Sequence, residues 1–525
     1  MIKIKYLISI MIIISLLVSC SSKISKNVDN SKDTNDINNS NSSLDETQDT
    51  YSIVCKPDFK GKKQINILID DSNFYNCKID SEIINAINKK LDKDGYNFAV
   101  NFEIINPFSI ASIDYYEKSL NKNKIFDIVS TGSGFPEEVV EDKTAPLECK
   151  PHENTYWECV NKGYLIPLNK YLKTSYGKKL YNQFPKNYWN MVKDNQSKIY
   201  GVYNSISSPN TIIFMSENEK KYNYNSFNFN GDILSLEETL KRIKEKYNVS
   251  SGCFNLDTTS SFYEYFGYSI LNCGIYINEK TGNAENLFEN KEYVKYYKKI
   301  KDYIDKGYLL DTTKESIDDE AWDNLLCSNS TLYPFEDRNE TILCDTYMNN
   351  DYLDGAFGIT SSSKHPDEAF TFLYLMFTNS EYATLLQCGI KDRNYTVNES
   401  GVVTLDSENT APYDCMDYPL NPYITDTKGF VDYSSKEEKQ KILELQLKHT
   451  KKSKAYGFSY PKSEKTNAIK KIYEKYEGLY YGAFENIDEN LKKANDELKK
   501  AGIDEVLTDV NRQLDEFHNG KSKNK

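Results

Sequence analysis

Between Ile65 and Gly134 short apolar strands alternate with a helical stripe, and few architectures accept that alternation. Ile65-Asn66-Ile67-Leu68-Ile69 reads as a strand ending at Asp70-Asp71. Ile83, Ile84, Ile87 and Leu91 follow at helical spacing on one face. Phe98 to Ile104 reads as a second strand after the turn signal Asp94-Gly95. A third, Ile125-Phe126-Asp127-Ile128-Val129, runs into Ser130-Thr131-Gly132-Ser133-Gly134. Strands separated by helices pair as a mostly parallel sheet, so the expected fold class is α/β. Ligands of such sheets bind beyond the carboxyl ends of the strands. Asp70, Asp71, Thr131 and Ser133 occupy those ends and are candidate binding residues.

The chain starts with an export signal. Lys3 and Lys5 precede the apolar run Tyr6 to Leu17, and Leu17-Val18-Ser19-Cys20 puts a small residue before a cysteine. The run is too short to span a membrane comfortably, and no stop-transfer pattern follows. Residues 1–20 resemble the lipobox leader of exported bacterial lipoproteins, which implies acylation of Cys20 and a body held by lipid on the outer face of the cell membrane. Residues 21–55 follow as a tether. Ser, Asn and Asp dominate Ser21 to Thr50, with too few aliphatics to stay folded. Thirty such residues reach about 30 Å end to end.

The net charge of −13 over 525 residues argues against nucleic acid and anionic lipid as partners. Ten cysteines remain after Cys20, and an even number in an oxidising compartment predicts disulfides. Their order suggests the local pairs 55–77, 149–159, 253–273, 327–344 and 388–415. Each such staple contributes roughly 3 kcal/mol in the chain-entropy account. A metal site at Cys149, His152 and Cys159 is the weaker reading, because no Cys-x-x-Cys pair accompanies it. No metal or other cofactor is expected.

Further along, Gly163-Tyr164-Leu165-Ile166-Pro167-Leu168, Lys198-Ile199-Tyr200-Gly201-Val202 and Thr211-Ile212-Ile213-Phe214-Met215 follow in order. Lys306-Gly307-Tyr308, Gly358-Ile359-Thr360 and Lys364-His365-Pro366-Asp367-Glu368-Ala369 come next. Ala455-Tyr456-Gly457-Phe458-Ser459-Tyr460, Leu498 to Asp504 and Gln513-Leu514-Asp515 close the series. In that order the motifs resemble extracellular solute-binding proteins of ABC importers, family 1, the sugar-binding LipO-like subgroup. The subgroup usually has glycine where Asp392 stands.

The resemblance implies a periplasmic-binding-protein-like fold, with two α/β lobes, hinge crossovers and a ligand cleft between the lobes. Residues 56–210 and 350–430 would form lobe 1, and 211–349 with 431–525 lobe 2. It also implies a sugar, expected to be an oligosaccharide, as ligand, ABC permease transmembrane subunits as partners, and a monomer. Local signals agree: Ser235-Leu236-Glu237-Glu238 is a capping box, and Pro366 suits a first helical position.

A sugar offers hydroxyls at its rim and C–H faces, which Asp and Asn side chains and flat aromatics recognise. Asn210, at the exit from lobe 1, and Asp257, Tyr263 and Tyr265, in and beside the aromatic run Phe262 to Tyr268, are candidates. The resemblance adds Phe458 and Tyr460, in a loop bordering the cleft. The alternative for all these aromatics is a place in the core. Trp189 and Trp322 are plausible stacking residues without a positional argument. A binder of peptide or another polar nutrient is the alternative function. A surface glycosidase or peptidase is disfavoured, because no Gly-x-Ser-x-Gly, His-Glu-x-x-His or phosphate-binding loop occurs.

Overall fold

The computed structural model describes residues 50–523, apart from 54–58, 71–78, 107–109, 133–154, 204–208, 257–261, 311–322, 332–337, 349–355, 398–402, 406–418, 425–435 and isolated positions. The leader, Cys20 and residues 21–49 lie outside the described residues.

The chain opens with β1 (Thr50–Ile53), β2 (Lys63–Asp70), β3 (Phe98–Ile105), β4 (Ile128–Ser130) and β5 (Gly201–Tyr203). A second series follows: β6 (Asn210–Met215), β7 (Phe254–Asn255), β8 (Tyr268–Ile270), β9 (Tyr276–Asn278), β10 (Ala284–Glu285), β11 (Cys327–Thr331), β12 (Arg338–Ile342) and β13 (Thr346–Met348). Then come β14 (Ala356–Ile359), β15 (Tyr395–Val397), β16 (Val403–Leu405) and β17 (Thr450–Lys452).

The first sheet has the order β1-β3-β2-β4-β14-β5. β2 runs parallel to β3 and β4, while β14 runs antiparallel to both β4 and β5. The carboxyl ends of β2, β4 and β5 therefore share one edge with the start of β14. The helix Ser81–Lys93 covers this sheet as the apolar spacing predicts, burying Ile83, Ile84, Ile87 and Leu91. Asp80 caps it, accepting from the Glu82 and Ile83 N–H groups at 2.9 Å. Asn88 stitches it to β3, donating to Val100 O at 3.1 Å and accepting from Val100 N–H at 2.8 Å.

In the second group, the sheet β12-β6-β11-β7 stands beside a three-stranded sheet β10-β9-β8. One core joins them to the C-terminal helices Glu464–Lys475, Ile487–Lys500 and Ile503–Lys523. In it Ile212, Phe214, Tyr297 and Ile300 share a cluster with Ile469, Leu498 and Val510. The chain passes between the two groups three times: from β5 to β6, from β13 to β14, and between Cys388 and Glu464 by way of β17. β13 and β17 pair in parallel, with Thr346 opposite Thr450.

Several expectations are corrected. Thr50–Ile53, assigned to the tether, is an edge strand paired antiparallel with β3, and its Ser52 hydroxyl donates to Glu103 Oε2 at 2.5 Å. The capping box at Ser235 does not form: that hydroxyl donates to Asp232 O at 2.6 Å, and Ser235 sits in a 3₁₀ turn. The pairs 253–273 and 327–344 are not disulfides, since Cys253, Cys327 and Cys344 are thiols, as is Cys159. The reason is topological. Cys327 N–H donates to Cys253 O at 3.4 Å, so strand pairing rather than sequence order sets Cys327 beside Cys253. Cys55, Cys77, Cys149 and Cys415 lie outside the described residues. Pro366 does open its helix, Pro366–Thr378. Asp392 holds φ 64°, the left-handed region that glycine enters freely and Asp tolerates. Among the described residues no helix is long and apolar enough to cross a membrane.

Candidate functional site

Asp70 closes β2, and Thr131 follows β4 directly, so the parallel pairing brings both to the edge from which the chain leaves the first sheet. Thr131 N–H donates to Ala356 O at 2.8 Å, which fixes it beside the start of β14. Gly132, with φ 67°, lets the chain approach closely: a Cβ there would stand 2.5 Å from Asp70 Oδ2 and 2.8 Å from Ser112 Oγ. Ser112 is brought in by the helix Ser112–Asn121. Thr155 donates to Gly132 O at 2.6 Å. The Ser112 and Thr131 hydroxyls are buried without a hydrogen-bond partner among the described residues. All three side chains are buried, so a polyhydroxylated ligand reaches this carboxylate and its two hydroxyls only when the edge opens.

A second constellation lies on the passages. Asn210, first residue of β6, donates through Nδ2 to Glu264 Oε2 at 2.9 Å. Thr346 Oγ1 donates to the same oxygen at 3.1 Å, and Tyr347 N–H donates to Glu264 Oε1 at 3.2 Å. Burial pushes the Glu264 carboxyl up to about 7, against the hydrogen bonds from Tyr347, Thr346 and Asn210.

A cavity of about 430 Å³ lies where the third passage meets the first group. Asn190, Lys193, Asp194 and Ser197 line one side, and Lys452, Ser453, Lys454 and Tyr456 the other. The Lys452 ammonium sits 3.9 Å from the Tyr456 ring centroid.

The solved structures most like this one include the N-glycan transport solute-binding protein of Streptococcus pneumoniae. It has 18% sequence identity and a TM-score of 0.62, over 87% of this chain and 99% of that one. An extracellular solute-binding protein from Bifidobacterium longum subsp. infantis matches with 15% identity and a TM-score of 0.51, over 88% and 99%. A human-milk-oligosaccharide (HMO)-binding, ABC-transporter-associated solute-binding protein from Bifidobacterium longum infantis matches with 13% identity and a TM-score of 0.50, over 87% and 99%. The fold is that of the solute-binding proteins. In sequence, a family described as a domain of unknown function (DUF3502) matches residues 455–519. No curated protein matches the chain.

The structure brings Asp70 and Thr131 together and sets Asn210 on a passage. Asp71, Ser133 and Asp257 lie outside the described residues. Of the aromatic candidates, Tyr263 packs on Tyr276 at 5.5 Å, and the Tyr265 hydroxyl donates to Asp232 Oδ1 at 3.3 Å. Both lie against the second group's core. Phe458 and Tyr460 belong to that core. Phe458 meets Phe517 at 5.5 Å, and the Tyr460 hydroxyl donates to Asp509 Oδ2 at 2.9 Å. Trp189 is fully buried, its indole N–H donating to Tyr181 O at 2.8 Å, and Trp322 lies outside the described residues. Ser112, Glu264 and Tyr456 were not picked out by sequence reasoning. The one available signal was for Glu264, a lone carboxylate inside an aromatic run.

Proposed function

We propose that this chain is the lipid-anchored extracellular receptor of an ABC importer, closing two lobes over an oligosaccharide and delivering it to the permease. The lobes correspond to the two groups, and Cys20 carries the lipid. The observation that carries the reading is the shared edge of the first sheet. Asp70 and the unpartnered hydroxyls of Ser112 and Thr131 collect there, and the β5–β6 and β13–β14 passages leave from it. The oligosaccharide class is supported by what the structural neighbours bind, an N-glycan in one case and milk oligosaccharides in another. Capture of this kind works by ligand contacts to both lobes shifting a hinge equilibrium. It needs no catalytic residue, and the receptor acts as a monomer beside the permease's transmembrane subunits.

Thermal-shift screening of the protein from Gln48 onward against oligosaccharides and peptides tests this. An oligosaccharide at a hundred times its Kd stabilises the folded state by about 2.7 kcal/mol. Stabilisation by peptides with every oligosaccharide silent would overturn the sugar reading, and turnover of a glycoside would overturn the receptor reading.

A further inference from the structure

Two buried glutamates of the second group hold the ends of all three passages. Glu264 accepts from Asn210 on the first passage and from Thr346 and Tyr347 on the second. Glu279, also buried, accepts from the Ser453 hydroxyl at 2.5 Å and the Lys454 N–H at 2.8 Å on the third. Ser269, on β8, gives Glu279 a further bond of 2.5 Å. The passages are also tied to each other. Leu343 N–H donates to Asn210 O at 2.9 Å, and Ser453 N–H to Met348 O at 2.8 Å.

We propose that Glu264 and Glu279 are positioning residues that clamp the three passages to the second group, and that proton uptake by Glu264 loosens the clamp. This rests on the two-lobe reading above. The chemistry follows from the donors. All three partners of Glu264 present hydrogens to it, and such bonds are roughly twice as strong to an ionised carboxylate as to a neutral acid. Oε1 faces a backbone N–H that cannot turn away, so a proton goes to Oε2. There the Thr346 hydroxyl, which accepts as well as donates, can turn to take the hydrogen, while the bond from Asn210 loses the charge that strengthens it.

Burial already favours the neutral acid, so the exchange falls within the range where proteins work. Other ionisable groups surround the clamp. Tyr263 and Tyr265 lie on the same helix, Cys344 and Tyr347 flank it from the second passage, and Glu279 stands beyond Tyr347. Asp345 pairs with His449 at 2.9 Å and with Lys451 at 3.9 Å. His449→Gln, which removes the neighbouring ion pair, is the control.

The test measures the distance distribution between spin labels at the exposed Lys178 and Lys492, introduced through noncanonical amino acids because native thiols exclude cysteine labelling. No ligand is added. The wild-type distribution is expected to be narrow at about pH 8.5 and broad at about pH 5.5, with the change centred near neutrality. Glu264→Gln should be broad at both, a loss of the pH dependence, and Glu279→Gln should be broad at both. Glu264→Asp and His449→Gln should retain the dependence. Equal wild-type widths at the two pH values would overturn the proposal, as would a Glu264→Gln protein that narrows like wild type. Either failure leaves the oligosaccharide reading standing, while a screen with every oligosaccharide silent would sink that reading without touching the clamp.

Discussion

Thr131 and Ser112 carry buried hydroxyls that find no partner among the described residues, a burden of about 1–3 kcal/mol each. Thr131→Val keeps the shape and removes the orphan, so the urea midpoint should hold or rise. In the same variant, oligosaccharide affinity should fall by about tenfold, the loss of roughly 1.4 kcal/mol. A Val variant with both quantities unchanged would remove Thr131 from the site. This pairing of gained stability with lost affinity marks a residue reserved for a ligand. The strand-end positions of Asp70 and Thr131 were legible in the sequence, because the strand-end rule needs only the strands. Ser112 was not. It arrives on a helix without a side-chain cap, and its approach depends on the missing Cβ of Gly132. For Phe458 and Tyr460 the sequence left both places open, since an aromatic in a loop motif looks the same whether it faces a cleft or a core.

At the scale of elements, β1 shows where composition misleads. The tether's Ser, Asn and Asp run up to Thr50, yet Tyr51 and Ile53 can still pair with β3, and Ile53 is buried. A protein beginning at Val54 should be less stable than one beginning at Gln48 by about 2 kcal/mol, the worth of one buried aliphatic side chain. Equal urea midpoints for the two would show the strand to be ornamental. The first sheet was readable because its strands β2 and β3 have eight residues each and a helix of clear period between them. The second group was not. Its strands have two to six residues, and β6 takes its partners from more than a hundred residues away.

For the whole molecule, Glu264 gives stability a pH dependence of definite sign. Its carboxyl is raised from 4.5 to about 7 by burial, so the folded state binds the proton more tightly than the unfolded chain. The stabilisation is fully present below about pH 4.5 and is lost as pH rises through about 7, a swing on the order of 3 kcal/mol. Melting temperatures measured from about pH 5 to pH 8 should therefore fall more steeply in wild type than in Glu264→Gln. Parallel slopes would show that the charge is buried at no cost. The neutral acid favours the fold as a whole while its bonds to the passages lose their charge assistance, so on the proposal above global and local order respond to protons in opposite directions.

The placement of Phe458 and Tyr460 bears on inheritance. The segment 455–519 that carries a shared family signature is packing material, with Phe458, Tyr460, Val506, Val510 and Leu514 all in one core. A family match confined to such a stretch therefore reports a common scaffold and carries no information about a ligand.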